Sequence, residues 1–248
     1  MTSTTRILHK FLSFLSRKIP DSNNKNKLRV FFYNFIDKKY GFRYSYEQGV
    51  YLIDGNGVHF LMKEEPFGIS KLIAEYHHFH KLDSGDVVID AGAFIGQYTV
   101  WAAKKVGKAG KVISIEPDKM NLQQLSANLS LNNLSNVILL DTLLWNSKSI
   151  VPFSELGTVG SSAFWRPESA LFVDKCTITL DELVKNLNLN RLDFIKMDIE
   201  GAEIKALEGC QEVFSKFHPK FAIASYHIVE GVPTRNQVED QLKKVAIR

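Results

Sequence analysis

Residues 87–99 read VVIDAGAFIGQYT, a short apolar run that ends in an acid and passes through two glycines into a helical pattern. Val87, Val88 and Ile89 predict a buried parallel strand, and Phe94, Tyr98, Val100, Ala102 and Ala103 predict a helix packed back on it. Gly92 and Gly96 fall in the turn between them. A glycine there lets the backbone approach a ligand closely or take positive φ, and the N–H groups that open the helix favour an anionic group. The spacing from Asp90 is D-x-G-x-x-x-G, whereas a dinucleotide fingerprint needs G-x-G-x-x-G. The middle glycine that admits a pyrophosphate is missing, which disfavours a dehydrogenase.

The next strand, from Gly110 to Ile115, runs into Glu116-Pro117 and places a carboxylate 26 positions after Asp90. That is close to the usual spacing of roughly 20 for an acid that accepts the hydroxyls of a ribose. Each such charged hydrogen bond is worth about 1.5–3 kcal/mol. The pair of segments therefore suits a nucleoside without a diphosphate. Strands over 86–90, 111–116, 137–141, 192–198 and 221–227, alternating with helices over 94–106, 118–132 and 201–216, predict an α/β fold with a mainly parallel sheet and helices on both faces. Asp181 suits the first turn or cap of a further short helix, and a pair of extra strands is expected around 150–153 and 176–179.

VVIDAGAFIGQYT, GKVISIEPD, NLQQLSANLSLNNLSNVILL, TLDEL and DFIKMDIEGAEIKALEG, in that order between about Gly85 and His227, resemble the S-adenosylmethionine-dependent methyltransferases of the FkbM type. The resemblance implies a Rossmann-like class I methyltransferase fold, S-adenosyl-L-methionine as cofactor, and methyl transfer to a hydroxyl oxygen of a glycan, a lipid-linked glycan or another natural product. It implies further that Asp90, Gly92 and Gly96 lie under the methionine end of the cofactor, that Glu116 takes the ribose, and that Asp141 meets the adenine. Asp198, which ends the fourth strand, is then expected to meet the bound cofactor and, with Glu200 in the turn after it, to belong to the catalytic cleft, whereas Glu203 suits a helix cap. Methyl transfer to an alcohol needs a group that takes the hydroxyl proton, and histidine is the side chain best tuned to that near neutral pH. His227, at the end of the fifth strand, is the first candidate and Glu200 the reserve. Family members often carry an acid shortly before this histidine, but Ser225-Tyr226-His227 does not.

Other acceptor chemistries leave marks that are missing. No N/D-P-P-Y/F follows the fourth strand, and neither cysteine stands where a C5-cytosine nucleophile would, so nucleic acid is disfavoured as acceptor. Only a helix near 237–244 follows the fifth strand, so the C-terminal strands usual in class I methyltransferases are expected to be shortened. An open edge on strand five invites another segment or subunit. A different class of reading is a degenerate binding or scaffold module that keeps the pocket without turnover.

The chain has 248 residues, 45% hydrophobic and 23% charged, enough for one α/β domain with an extension. Two cysteines, Cys176 and Cys210, are too few for a disulfide framework or a zinc cluster and imply a reducing, cytoplasmic setting. Residues 1–43 carry ten Lys/Arg against two acids, which makes them +8 and the remainder −4. Ile7, Leu8, Phe11, Leu12, Leu15 and Ile19 share one helical face with basic residues opposite, a pattern suited to peripheral contact with an anionic membrane through residues 1–20. A basic amphipathic helical extension over 1–41, with a polar linker at 21–27 and an aromatic core helix at 28–40, an accessory β-hairpin over 42–66, and the methyltransferase domain over 67–248 are expected. His77, His78 and His80 point in different directions on a helix, and no metal site is read from them.

Overall fold

The computed structural model describes residues 22–246 except 67, 166 and 169, so the expected helix over residues 1–20 lies outside the described residues. The chain divides into two compact units, residues 1–75 and 76–248.

In the first unit, α1 (Asn23–Ile36) precedes β1 (Phe42–Glu47), β2 (Val50–Gly55) and β3 (Val58–Met62), which pair antiparallel in the order β1-β2-β3. Asn56 and Gly57 turn β2 into β3, both with positive φ, as a two-residue hairpin requires. Asn34 of α1 clamps β1 by exchanging 2.8 Å hydrogen bonds with the backbone N–H and C=O of Tyr44. Two sequence expectations change here. Residues 23–27 are helix rather than linker, because the Ser22 side chain accepts from Lys25 N–H and caps α1. Of the aromatics expected in the core, Phe31 and Phe35 are 68% and 73% exposed, since the residues of α1 that are buried are Lys25 and Tyr33.

The unit boundary falls inside α2 (Ile69–Phe79). The second unit is built on β4 (Val87–Ala91), α3 (Gln97–Val106), β5 (Lys111–Ile115), α4 (Lys119–Leu131) and β6 (Val137–Leu140). After an insertion containing β7 (Leu143–Leu144), β8 (Ile150–Glu155) and β9 (Leu171–Ile178) come α5 (Leu180–Asn186), β10 (Phe194–Met197), α6 (Glu203–Glu208), α7 (Gln211–Phe217) and β11 (Lys220–Ile223). A two-residue hairpin pair, β12 (Ile228–Val229) and β13 (Val232–Pro233), leads into α8 (Arg235–Ala246). The central sheet runs β11-β10-β4-β5-β6, all parallel, so the chain reverses its direction of growth between β4 and β10. This is the Rossmann-like arrangement, and its cleft opens at the carboxyl ends of those two strands.

Strand alternation sorts the two faces. Ile89, Ile113 and Ile195 stand in register and pack with Leu183, Ala206, Leu207 and Val213 from α5, α6 and α7. Lys196, Asp90 and Ser114, one residue on, form a buried polar row across β10, β4 and β5 on the opposite face. Thr99 of α3 covers this row, donating to Asp90 at 2.6 Å and meeting Ser114 at 2.9 Å.

Asp181 lies in the first turn of α5, one of the two places expected of it, where its side chain holds Val213 N–H at 2.8 Å, while Thr179 caps the helix in a reciprocal box with Glu182. Two further boundaries depart from the sequence reading. The helix expected over 201–216 is two helices, broken where the Gly209 carbonyl accepts from Asp181 N–H instead of continuing the ladder. The fifth strand stops at Ile223, because its last ladder bond, Ala224 N–H to Met197 C=O, uses up the end of β10. His227 therefore sits in a loop.

Candidate active site

Ala91, Ile115, Leu140 and Met197 are in register at the carboxyl edge of the sheet. The residues that follow them are Gly92, Glu116, Asp141 and Asp198, so one rim collects candidates spread over more than a hundred positions of sequence.

The first turn is fixed by packing. Gly92 has φ +75, and a Cβ on it would lie 1.8 Å from the Asp198 carbonyl oxygen, so only glycine fits between β4 and the turn after β10. Gly96 has φ +85 and caps α3 with no side chain contributing, which leaves the first-turn N–H groups of α3 without a side-chain cap. A Cβ on Gly96 would strike Leu125. Positive φ, one of the two roles open to these glycines, is seen at both, together with tight packing against neighbouring residues.

Asp90 is fully buried, paired with Lys196 Nζ at 3.0 Å and bonded by Thr99, so its carboxylate shapes the turn from beneath. Lys196 extends the same support by donating to the carbonyl of Gly92 at 2.6 Å. Lys196 and Thr99 went unnoticed in the sequence. A lysine inside an apolar strand beside an acid-bearing strand is a signal only once register is known.

Glu116 ends β5 and joins two loops, accepting from Phe94 N–H at 2.7 Å and Asp118 N–H at 3.0 Å. Burial pushes its carboxyl up to about 7 against these stabilising hydrogen bonds. A carboxylate offers about four acceptor positions, so capacity remains for a hydroxyl donor. The neighbouring Asp118 anchors the loop after β8, accepting from Gly157 N–H at 2.8 Å and from the Ser161 hydroxyl at 2.6 Å. Asp141 is exposed and ion-paired with Lys175 of β9 at 2.9 Å.

On the other side of the switch point, Asp198, Glu200 and His227 come together as the sequence expects. Glu200 has φ +53 and Gly201 φ +100, and the buried Glu203 closes this turn by accepting from Ile199 N–H at 2.8 Å and Gly201 N–H at 3.0 Å. His227, 9% exposed, places Nδ1 3.2 Å from Glu203 and Nε2 3.5 Å from both Asp198 and Glu200. Burial acts to lower its pKa, but Glu200 and Glu203 outweigh it and raise the imidazole to about 10. Tyr76 and Tyr226 direct their hydroxyls at Asp198 from 3.3 and 3.2 Å. A cleft of about 540 Å³ is lined by Phe164, Trp165, Ile228 and Val229 together with Glu200 and His227 of the cluster.

The elsewhere expected histidines are structural: His77 meets Trp101 edge-on and His80 stacks on Phe194 while pairing with Asp86 at 3.3 Å. No helix among the described residues is long and apolar enough to cross a membrane.

The model of the FkbM methyltransferase domain matches residues 90–243. Methyltransferase sdnD of Sordaria araneosa is 26% identical over 188 residues, covering 59% of this chain and 72% of the relative. Among solved structures, Aeropyrum pernix fibrillarin with bound S-adenosyl-L-methionine is 10% identical with a TM-score of 0.46 and covers 82% of this chain and 87% of its own. Precorrin-6y C5,15-methyltransferase of Geobacter metallireducens is 14% identical with a TM-score of 0.45 and covers 75% and 76%. With its glycine turn, its acid-ended second strand and a family match over most of its length, the chain belongs to the FkbM family of S-adenosylmethionine-dependent methyltransferases.

Proposed function

We propose that the protein methylates a hydroxyl oxygen of a small molecule or glycan, with the acceptor seated in the cleft beside Asp198, Glu200 and His227. The observation that carries the reading is the convergence of this cluster with the glycine turn at a single switch point. S-adenosylmethionine, when bound, supplies a methyl group already activated on sulfonium sulfur, so the chain has only to hold, align and deprotonate. The first-turn N–H groups of α3 suit the carboxylate of its methionine end, and Glu116 suits its ribose; both features fit the family's cofactor. Asp141 stands at the rim where an adenine amine would be met.

The lining of the cleft supports this acceptor class. Trp165 and Phe164 offer flat apolar surface to a sugar face or a fused ring system, and Glu200 and Glu230 make the cleft acidic. Acids lining the cleft repel a phosphate backbone, which supports a small or glycan acceptor over nucleic acid. Incubation with labelled cofactor and fractionated cell glycans, lipids and small metabolites tests the proposal: label should enter a hydroxyl of one fraction. Cofactor binding without product in any fraction would favour a binding or scaffold module instead.

Glu116 gives this reading a pH signature. Ribose hydroxyls donate to the ionised carboxylate, which is present above a pKa of about 7 and lost below it. Cofactor affinity is therefore expected to fall about tenfold between pH 8 and pH 6 by proton linkage, and Glu116→Gln should flatten that dependence. Calorimetry across this range measures both.

The basic residues 1–20 would bring the enzyme to an anionic membrane, each Lys or Arg contributing on the order of 1 kcal/mol. Liposome sedimentation should show the full chain retained and a chain starting after Pro20 released; equal partitioning would end the idea. Contact between subunits along β11, the edge strand of the central sheet, belongs to the same proposal.

A further inference from the structure

We propose that Asp198, Glu200 and His227 form a binding site for a divalent cation, and that this cation, rather than a side-chain base, activates the acceptor hydroxyl. The inference rests on the proposed hydroxyl methylation and assigns a chemistry to the same cluster.

The donor set is of metal-binding type, since each of the three residues offers one ligand atom and all lie within 4.8 Å of one another. Cation–ligand distances of about 2.0–2.2 Å put neighbouring ligand atoms about 3–4 Å apart, so small side-chain movements close the set. Independent support comes from His227. Its side chain is nine-tenths buried, and neither ring nitrogen makes a hydrogen bond of normal geometry although carboxylate oxygens stand at 3.2–3.5 Å. Asp198 and Glu200 both converge on Nε2 from the same distance, and one ring proton cannot be shared well between them. A cation placed among the three atoms satisfies all of them together.

The surrounding groups match what metal-bound histidines need. Nδ1 faces Glu203, a fully buried carboxylate immobilised by two backbone N–H groups, which fixes the ring and the tautomer that offers Nε2 as ligand. Asp198 is likewise held by Tyr76 and Tyr226. Three protein ligands leave coordination positions open toward the cleft, where an acceptor oxygen can bind. Bound there, the hydroxyl becomes more acidic: its O–H bond breaks, the electron pair stays on oxygen under the cation, and the proton passes to water in the cleft.

The sequence hid the set because its members are up to 29 positions apart and only the turn after β10 and the loop after β11 bring them together.

The test uses the full chain after chelator treatment, titrated with Mn²⁺ and followed by loss of the free-ion electron paramagnetic resonance signal. One ion per chain is expected, with a dissociation constant below about 1 mM, the weak end of protein cation sites. Asp198→Asn and His227→Gln should weaken it at least about tenfold, a change typical for loss of a ligand or its support. Thermal melts show that each variant is folded, and Glu200→Gln, in a partly exposed loop, replaces either one that is not. Absence of a stoichiometric site in the wild type, or equal binding by folded variants, overturns the proposal. A calorimetric titration of the same chelated protein with S-adenosylmethionine reports separately on the methyltransferase reading, so a failure of either is recognised as its own.

Discussion

His227→Ala should lower turnover by about 100-fold or more, the scale on which removing the group that manages an acceptor proton is felt. The reason is position: in the wall of the cleft Nε2 faces both Asp198 and Glu200, and without the ring the two carboxylates repel each other with nothing between them. The fold should tolerate the change, because Glu203 keeps its bonds to the backbone of Ile199 and Gly201. Cofactor affinity should stay within about threefold, since the change removes an interaction with the acceptor and not with the cofactor. Steady-state kinetics with a confirmed acceptor and calorimetry with S-adenosylmethionine read the two quantities. Wild-type turnover in the variant would remove His227 from the reaction.

Lys196→Ala is expected to produce the largest loss of stability. Asp90 is fully buried and Lys196 nearly so, and they meet at 3.0 Å with Thr99 as the other partner of the acid. Taking away one member of such a pair leaves an uncompensated buried charge at a cost of about 3–5 kcal/mol. That is a large share of the roughly 5–15 kcal/mol by which domains are stable. The double variant Asp90→Asn with Lys196→Met, which removes both charges, should recover much of the loss. Urea unfolding of the three proteins checks this, and an unchanged midpoint for Lys196→Ala would show that the pair contributes nothing. The same pair holds the Gly92 carbonyl, so cofactor affinity should fall along with stability in the single variant.

How much of this was legible in the sequence depends on how local each feature is. The strand–turn–helix at Val87–Thr99 and the acid at Glu116 are local patterns, and the structure has them within a few residues of where periodicity puts them. The order β11-β10-β4-β5-β6 follows from strand and helix succession together with the reversal expected at a switch point. What periodicity missed are the places where a backbone group has found a partner outside its own element. The split between α6 and α7 at Gly209 and the early end of β11 at Ile223 are both of this kind.

The site divides along the same line. Residue types in the turn after β10 marked Asp198 and Glu200, and proximity to the sheet edge marked His227. The burial of Asp90, the service of Lys196 and the carboxylate behind His227 became visible only when register placed side chains from three strands on one face. The motif alone does not show what an acid rests on; register places Asp90 at the floor of the turn, against Lys196.

The measurement that bears most directly on the central claim is calorimetric titration of the purified chain with S-adenosylmethionine, beside Glu116→Ala. One-to-one binding by the wild type is expected, with a loss of about 2 kcal/mol in the variant, the worth of a hydrogen bond to a charged group. No binding by the folded wild type would contradict the assignment of this cleft to the cofactor, and unchanged affinity in Glu116→Ala would contradict the placement of the ribose.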